Sequence, residues 1–276
     1  MEAELRRLQQ LTERIDAPAM RASMLRTRAG LAIARGDIAS AWPLAQRALT
    51  EGLAPTDAGT ARAIALLQFS ALLSLRGDEA QEAIDVDNEV IVLHNSLMIA
   101  AGVYVQCLTA RWDSALAQMR ALAADHFACL PRDMSYGIAL ANLAYSSMML
   151  RDRDSAQVLR ELLLPFAGRH ATVFSYYTSG SASHHIALLE ATLGNFTAAN
   201  AYFEQALKMN ADMGYEVWQL QTALCFSQVC RQQGEAQRAS ELENAARALS
   251  QRLDIPFSAM ISLSRARSAP AARQSG

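Results

Sequence analysis

Apolar residues recur three and four positions apart along most of the 276 residues, the spacing that places them on one face of an α-helix. Short polar or glycine-containing turns interrupt this pattern at RGDIASA (35–41), RGDEAQEA (76–83), ARWDSA (110–115), LRDRDSA (150–156), LGNFTAA (193–199) and QQGEAQRA (232–239). Each turn is followed by an alanine: Ala41, Ala83, Ala115, Ala156, Ala199 and Ala239, at intervals of 42, 32, 41, 43 and 40 residues. A period of that length built from two helices predicts a solenoid of stacked helical hairpins. Strand patterns are almost absent, so the expected class is all-α.

The helix before each turn has its own regularity. Seven positions upstream stand Ala29, Ser70, Val103, Ala144, Ala187 and Ser227, with Phe69, Leu143, Ile186 and Phe226 just before four of them. Small residues let two helix backbones approach closely, and the large neighbours fill the space between hairpins.

Small residue, turn, alanine, aromatic, alanine is the order found in the tetratricopeptide repeat, and the chain resembles that family. The fifth unit carries the resemblance best: Ile186, Ala187, Gly194, Ala199, Phe203 and Ala206 fall on its large, small, glycine, alanine, aromatic and alanine positions, while Glu190 stands at its tyrosine position. Over residues 183–256 the chain also resembles the last repeats of large bacterial signal-transduction ATPases and LuxR-type or MalT-like regulators. The resemblance implies a right-handed superhelical α-solenoid of about six hairpins over residues 1–264. The repeats lie near 20–50, 60–94, 96–125, 135–166, 180–213 and 216–253. LTERIDAP (11–18) reads like LSQRLDIP (249–256), which ends a second helix. Residues 1–18 are therefore expected to form a half-repeat, either a cap or the continuation of an array from a larger protein. The polar tail 265–276 is expected to be disordered.

Composition then narrows the function. The net charge is −2, so no global field draws the chain to nucleic acid or to an anionic membrane. No apolar run approaches a membrane span, and the charged start has no signal-peptide core. Cys107, Cys129, Cys225 and Cys230 form no C-x-x-C pair and read as reduced thiols in a cytoplasmic protein. Lys208 is the only lysine among 25 basic residues and follows no glycine loop, which removes a phosphate-binding loop from this chain.

Catalytic and metal motifs are missing too. The five histidines show no H-x-x-x-H or H-E-x-x-H pattern, and adjacent His184 and His185 point a quarter-turn apart on a helix. FSYYTSGSASHH (174–185) lacks a nucleophile elbow and has no convincing strand before it; Ser181 or Ser183 is expected to cap the next helix. Asp85, Asp87 and Glu89 read as a solvated helix face rather than a calcium loop. Neither catalysis, a metal nor a cofactor is expected.

The concave face of such a solenoid is lined by the first helix of each hairpin. Projecting the repeat resemblance onto that face selects Tyr104, Asn142, Tyr145, His184, Gln228 and Arg231 as ligand- or partner-binding residues, with Gln221, Met148 and Leu188 beside them. Two functions follow from the resemblance. One is an interaction scaffold, binding a protein or peptide or other domains of a larger bacterial regulator. The other is a sensor that binds a small molecule or peptide in its groove.

Overall fold

A computed structural model describes residues 18–51, 58–76 and 96–264, together with positions 7, 10 and 11. Most of residues 1–17, residues 77–95 with Asp85, Asp87 and Glu89, and the tail 265–276 lie outside the described residues. The remainder is almost wholly helical. The helices are α1 (Pro18–Arg35), α2 (Ile38–Glu51), α3 (Ala58–Arg76), α4 (Ser96–Leu108), α5 (Trp112–Ala123), α6 (Tyr136–Leu150) and α7 (Arg153–Leu163). After a strand pair come α8 (Ala182–Leu193), α9 (Phe196–Asp212), α10 (Glu216–Gln232), α11 (Ala236–Leu253) and α12 (Phe257–Ser264). Among the described residues no helix is long and apolar enough to cross a membrane.

Consecutive helices pack as hairpins, α1 on α2, α4 on α5, α6 on α7, α8 on α9 and α10 on α11. The small residues explain how closely they pack. Ala29, Val103, Ala144, Ala187 and Ser227 of the first helices are buried, as are Ala41, Ala115, Ala156, Ala199 and Ala239 of the second. Ser70 departs from this set: it is half-buried and faces a cavity. In the α8–α9 hairpin Phe203 stacks on Phe226 of α10, with ring centroids 5.1 Å apart. Glu190, the carboxylate at an otherwise aromatic position, is almost fully buried. It accepts hydrogen bonds from Arg160 of α7 at 2.5 Å and from the Asn195 amide at 2.8 Å. A buried charge so placed is held by its partners, and removing one would leave it uncompensated.

The structure departs from the sequence expectation in two places. The first is a β-hairpin where no strand was expected. β1 (His170–Val173) and β2 (Tyr177–Ser181) pair antiparallel, Val173 opposite Tyr177 and Thr172 opposite Thr178, with an irregularity between His170 and Thr172. Thr, Val and Tyr suit a pleated, half-buried surface, but four- and five-residue strands carry too few alternations to register as a pattern. Ser181 ends β2 and caps α8, its hydroxyl accepting from the Ser183 amide at 3.2 Å.

The second departure concerns the chain ends. Each hairpin of a solenoid touches only its neighbours, yet α1 packs on α10 and α3 packs on α12. Ala29, Ile33, Leu72 and Leu75 share one core with Leu220, Leu224, Ile255 and Met260. The tip of the β-hairpin is clamped in the same seam. The Thr27 hydroxyl meets that of Ser175 at 3.0 Å, the Ser23 hydroxyl meets that of Tyr176 at 2.8 Å, and Gln68 donates to the Tyr176 carbonyl at 2.7 Å and to that of Arg26 at 2.8 Å. Gly30 makes this approach possible: a Cβ there would lie 2.0 Å from the Tyr176 carbonyl oxygen.

Candidate functional site

Where the seam meets the first helices a cavity remains. Its volume is about 70 Å³, counted as the space open to the centre of a water molecule. Leu67, Ser70, Ala71, Ser74 and Leu75 of α3 form one wall, with Ile33 of α1. Ala101, Tyr104 and Val105 of α4 and Asn142 and Tyr145 of α6 form the facing wall. Tyr177 and Ser179 of β2 and Val217, Trp218 and Gln221 of α10 close it. Helical spacing sets these groups: Asn142 and Tyr145 are three apart, as are Trp218 and Gln221, so each pair shares a face. Gly180 brings β2 against α10. Its φ is +79°, and a Cβ there would lie 2.9 Å from Trp218.

The lining contains no Asp, Glu, Lys, Arg or His among the described residues. Its polarity comes from hydroxyls and amides. The hydroxyls of Tyr104 and Tyr177 and the side-chain amides of Asn142 and Gln221 have no hydrogen-bond partner among the described residues, and the buried indole N–H of Trp218 has none either. Burial holds the phenols of Tyr104, Tyr145 and Tyr177 well above their usual range, so all three stay protonated. The rings of Tyr104 and Tyr145 stand 6.1 Å apart.

Behind this wall lies a second layer. The Tyr145 hydroxyl is 2.6 Å from Nε2 of His184, whose ring packs edge-on against Phe203. Nε2 of His185 is 3.1 Å from the Ser179 carbonyl oxygen and 3.2 Å from the Ser179 hydroxyl. Burial drives both imidazoles toward the neutral form, His185 down to about 4 and His184 well below its usual value, the latter also through His185 beside it. Burial likewise pushes the Cys225 thiol up to about 12 and that of Cys107 to about 11. Thiols held in that range are not nucleophiles near neutrality. No group of three His, Cys, Asp or Glu side chains among the described residues is placed to hold a metal ion.

Of the residues projected onto the concave face, Tyr104, Asn142 and Tyr145 line this one cavity, and His184 supports it from behind. Gln228 lies elsewhere, in an open groove of about 680 Å³ with Met148, Leu188, Val229 and Gln232 at the ends of α6, α8 and α10. Arg231 lines neither space. It is half exposed and ion-paired with Glu243 of α11, which also binds Arg247 at 2.9 Å. Trp218, Tyr177 and the α3 wall were missed by sequence reasoning. The spacing of Trp218 and Gln221 on one helix face was the available signal for Trp218. Nothing local linked α3 or β2 to the site. Comparison with protein-family models, curated proteins and solved structures gives no match for this chain.

Proposed function

We propose that this protein is a non-enzymatic receptor module that holds a small molecule between the first helices of its hairpins. Its occupancy would be passed to a protein partner or to another domain of a bacterial signalling or transcriptional regulator. One observation carries the reading: the seam that joins α1 and α3 to α10 and α12 leaves a mainly apolar cavity into which the side chains of Tyr104, Asn142, Tyr177 and Gln221 converge with no hydrogen-bond partner among the described residues. Concave, mainly apolar spaces with a few convergent polar groups are where ligands bind. The walls come from α1 and α3 on one side and from α4, α6 and α10 on the other, so a ligand there favours the joined arrangement over a separated one.

Hydrogen exchange on the full chain, with and without a small-molecule extract of a bacterial culture, tests this. Protection is expected in α4, α6 and α10 around Tyr104, Tyr145 and Gln221, and Asn142→Leu should abolish it. Protection confined to the outer helices α5, α9 and α11, or none at all, would overturn the receptor reading.

A second reading, an interaction scaffold, draws on the open groove. Met148, Leu188 and Val229 supply apolar surface there, flanked by Gln228 and the cations Arg151 and Arg153. Such a trough suits an extended peptide. Arg153 donates to the Thr192 and Leu193 carbonyls at the end of α8, so its charge is already partly engaged.

A further inference from the structure

We propose that His184 and His185 form an acid-sensitive latch: charging the pair releases β2 from the first turn of α8 and takes down the cavity wall that Tyr145, Tyr177 and Ser179 form. The latch acts whether or not the cavity holds a ligand, so it goes beyond the receptor reading.

Hydrogen bonding is the first ground. Both side chains are buried, and their rings meet edge-on with centroids 5.1 Å apart. Each ring engages a neighbouring element through Nε2 alone: His184 meets the Tyr145 hydroxyl of α6, and His185 meets Ser179 of β2. Both Nδ1 atoms are buried with no hydrogen-bond partner among the described residues. An imidazolium donates from both nitrogens, so charging either ring buries an Nδ1–H with no acceptor.

Electrostatics is the second. Tyr145, with Tyr104 and Cys225 beside it, stands against the rings from one side and Phe203 from another. Burial keeps those phenols and that thiol uncharged. The helix α6 and the turn 164–166 carry no charged side chain. On α7, Arg160 and Arg153 bind Glu190 and the Thr192 and Leu193 carbonyls, all in the C-terminal half of α8, while Asp154 and Glu161 are exposed. On α9, Glu204 and Lys208 form exposed pairs with Arg238 and Asp212. On α10, Glu216 and Arg231 lie near the two ends and pair with α11. Among the described residues no carboxylate stands beside either ring to hold a positive charge. The two histidines are also the third and fourth residues of α8, at the end where the helix dipole disfavours a cation.

Only water relieves an imidazolium in such a place. Ser181 is both the last residue of β2 and the cap of α8, so opening the first turn of α8 draws β2 with it. One opening exposes both rings, and the step takes up two protons. The closed form is favoured above the ordinary histidine value and loses ground as pH falls below it. An exposed imidazole titrates near about 6.5, so at about pH 5 the open population gains about thirtyfold per ring, or about a thousandfold for the pair.

Trp218 reports the opening, because its ring stands edge-on to Tyr177 and closely abuts Gly180 of β2. Trp42, packed on Phe69, and Trp112 of α5 report the rest of the fold. The full chain is labelled with fluorinated tryptophan, and its three fluorine resonances, assigned by single Trp→Phe substitutions, are followed from neutral pH to about 4. The Trp218 resonance should move with a two-proton dependence while those of Trp42 and Trp112 stay in place. His184→Gln and His185→Gln should each reduce the uptake to one proton and lower the midpoint. His170→Gln, on β1 with its ring against Tyr215, should leave the transition unchanged. Should the glutamine variants unfold, the order of the resonances and the steepness in the unaltered chain decide alone. All three resonances moving together, a Trp218 resonance that stays fixed, a one-proton slope, or loss of the transition in His170→Gln overturns the latch. None of those outcomes bears on the receptor reading, which the exchange experiment tests at neutral pH.

Discussion

The α8–α9 hairpin and the β-hairpin that precedes it are adjacent in the chain and opposite in character. In α8–α9 the contacts are local. Ile186, Ala187, Ala199, Phe203 and Ala206 are all buried, and each answers a residue within about one hairpin or its neighbour. The tip of the β-hairpin is fixed from far away: Ser23 and Thr27 are 153 and 148 positions from their partners Tyr176 and Ser175, and Gln68 is 108 from Tyr176. Short-range periodicity builds the first region, and coincidence of distant polar groups builds the second. The cavity lies where the two kinds of structure meet.

The largest expected effect tests the local region. Ala199 is fully buried, and Ala199→Trp forces a ring between two helices, a loss of about 3 kcal/mol or more. Urea unfolding followed by circular dichroism measures it, and exchange should open in α8, α9 and α10 together. A stable, fully helical variant would show that Ala199 is not a close-packing position.

Gly30→Ala probes the distant region and ranks next. The added Cβ collides with the Tyr176 carbonyl and should cost about 2–3 kcal/mol. Protection at residues 175–177 should be lost while α8–α9 keeps its own. Equal opening of both regions would erase the contrast between them.

Acid bears on the layer between the two. His185 is neutral in the fold with a pKa of about 4, while in the unfolded chain it titrates near its ordinary value of about 6.5. Between those values the unfolded state binds more protons, so stability falls as pH falls from about 6.5 toward 4 and then levels. The loss is about 2 kcal/mol by pH 5 from this group, and His184 adds to it in the same direction. Denaturant titrations at a series of pH values give the slope, and His185→Gln should flatten it.

The smallest effects separate stability from binding. Asn142→Leu and Arg231→Ala should each change stability by no more than about 0.5 kcal/mol, since the Asn142 amide has no partner among the described residues and Arg231 is half exposed, its partner Glu243 keeping Arg247. Only Asn142→Leu should weaken a cavity ligand. If Arg231→Ala weakens it equally, the site extends beyond the cavity.

Legibility follows the same divide. The described turn positions and the buried alanines were readable because they recur at nearly fixed offsets, and repetition averages out single departures, whereas Phe203 was readable only through the fifth unit's resemblance to a repeat. Tyr104, Asn142 and Tyr145, selected by projecting the repeat resemblance onto the first helices, all line the one cavity. Trp218 and Tyr177 were not linked to them, since one sits on α10 and the other on a strand whose few residues leave no periodic trace. Gln228 was projected onto the same face but opens into a different groove, because α10 lines the cavity with its first half and the groove with its last turns.

The sequence by itself determined that most of the described residues form helices, where the described turns fall and, Ser70 apart, which of the described small residues are buried, because those features depend on neighbours within a few turns. Only the tertiary structure decided that α1 and α3 meet α10 and α12, that a β-hairpin is gripped in that seam, and that a neutral cavity is left between them. Such contacts join residues more than a hundred positions apart, and side-chain periodicity along a chain carries no information about which distant faces will share a core.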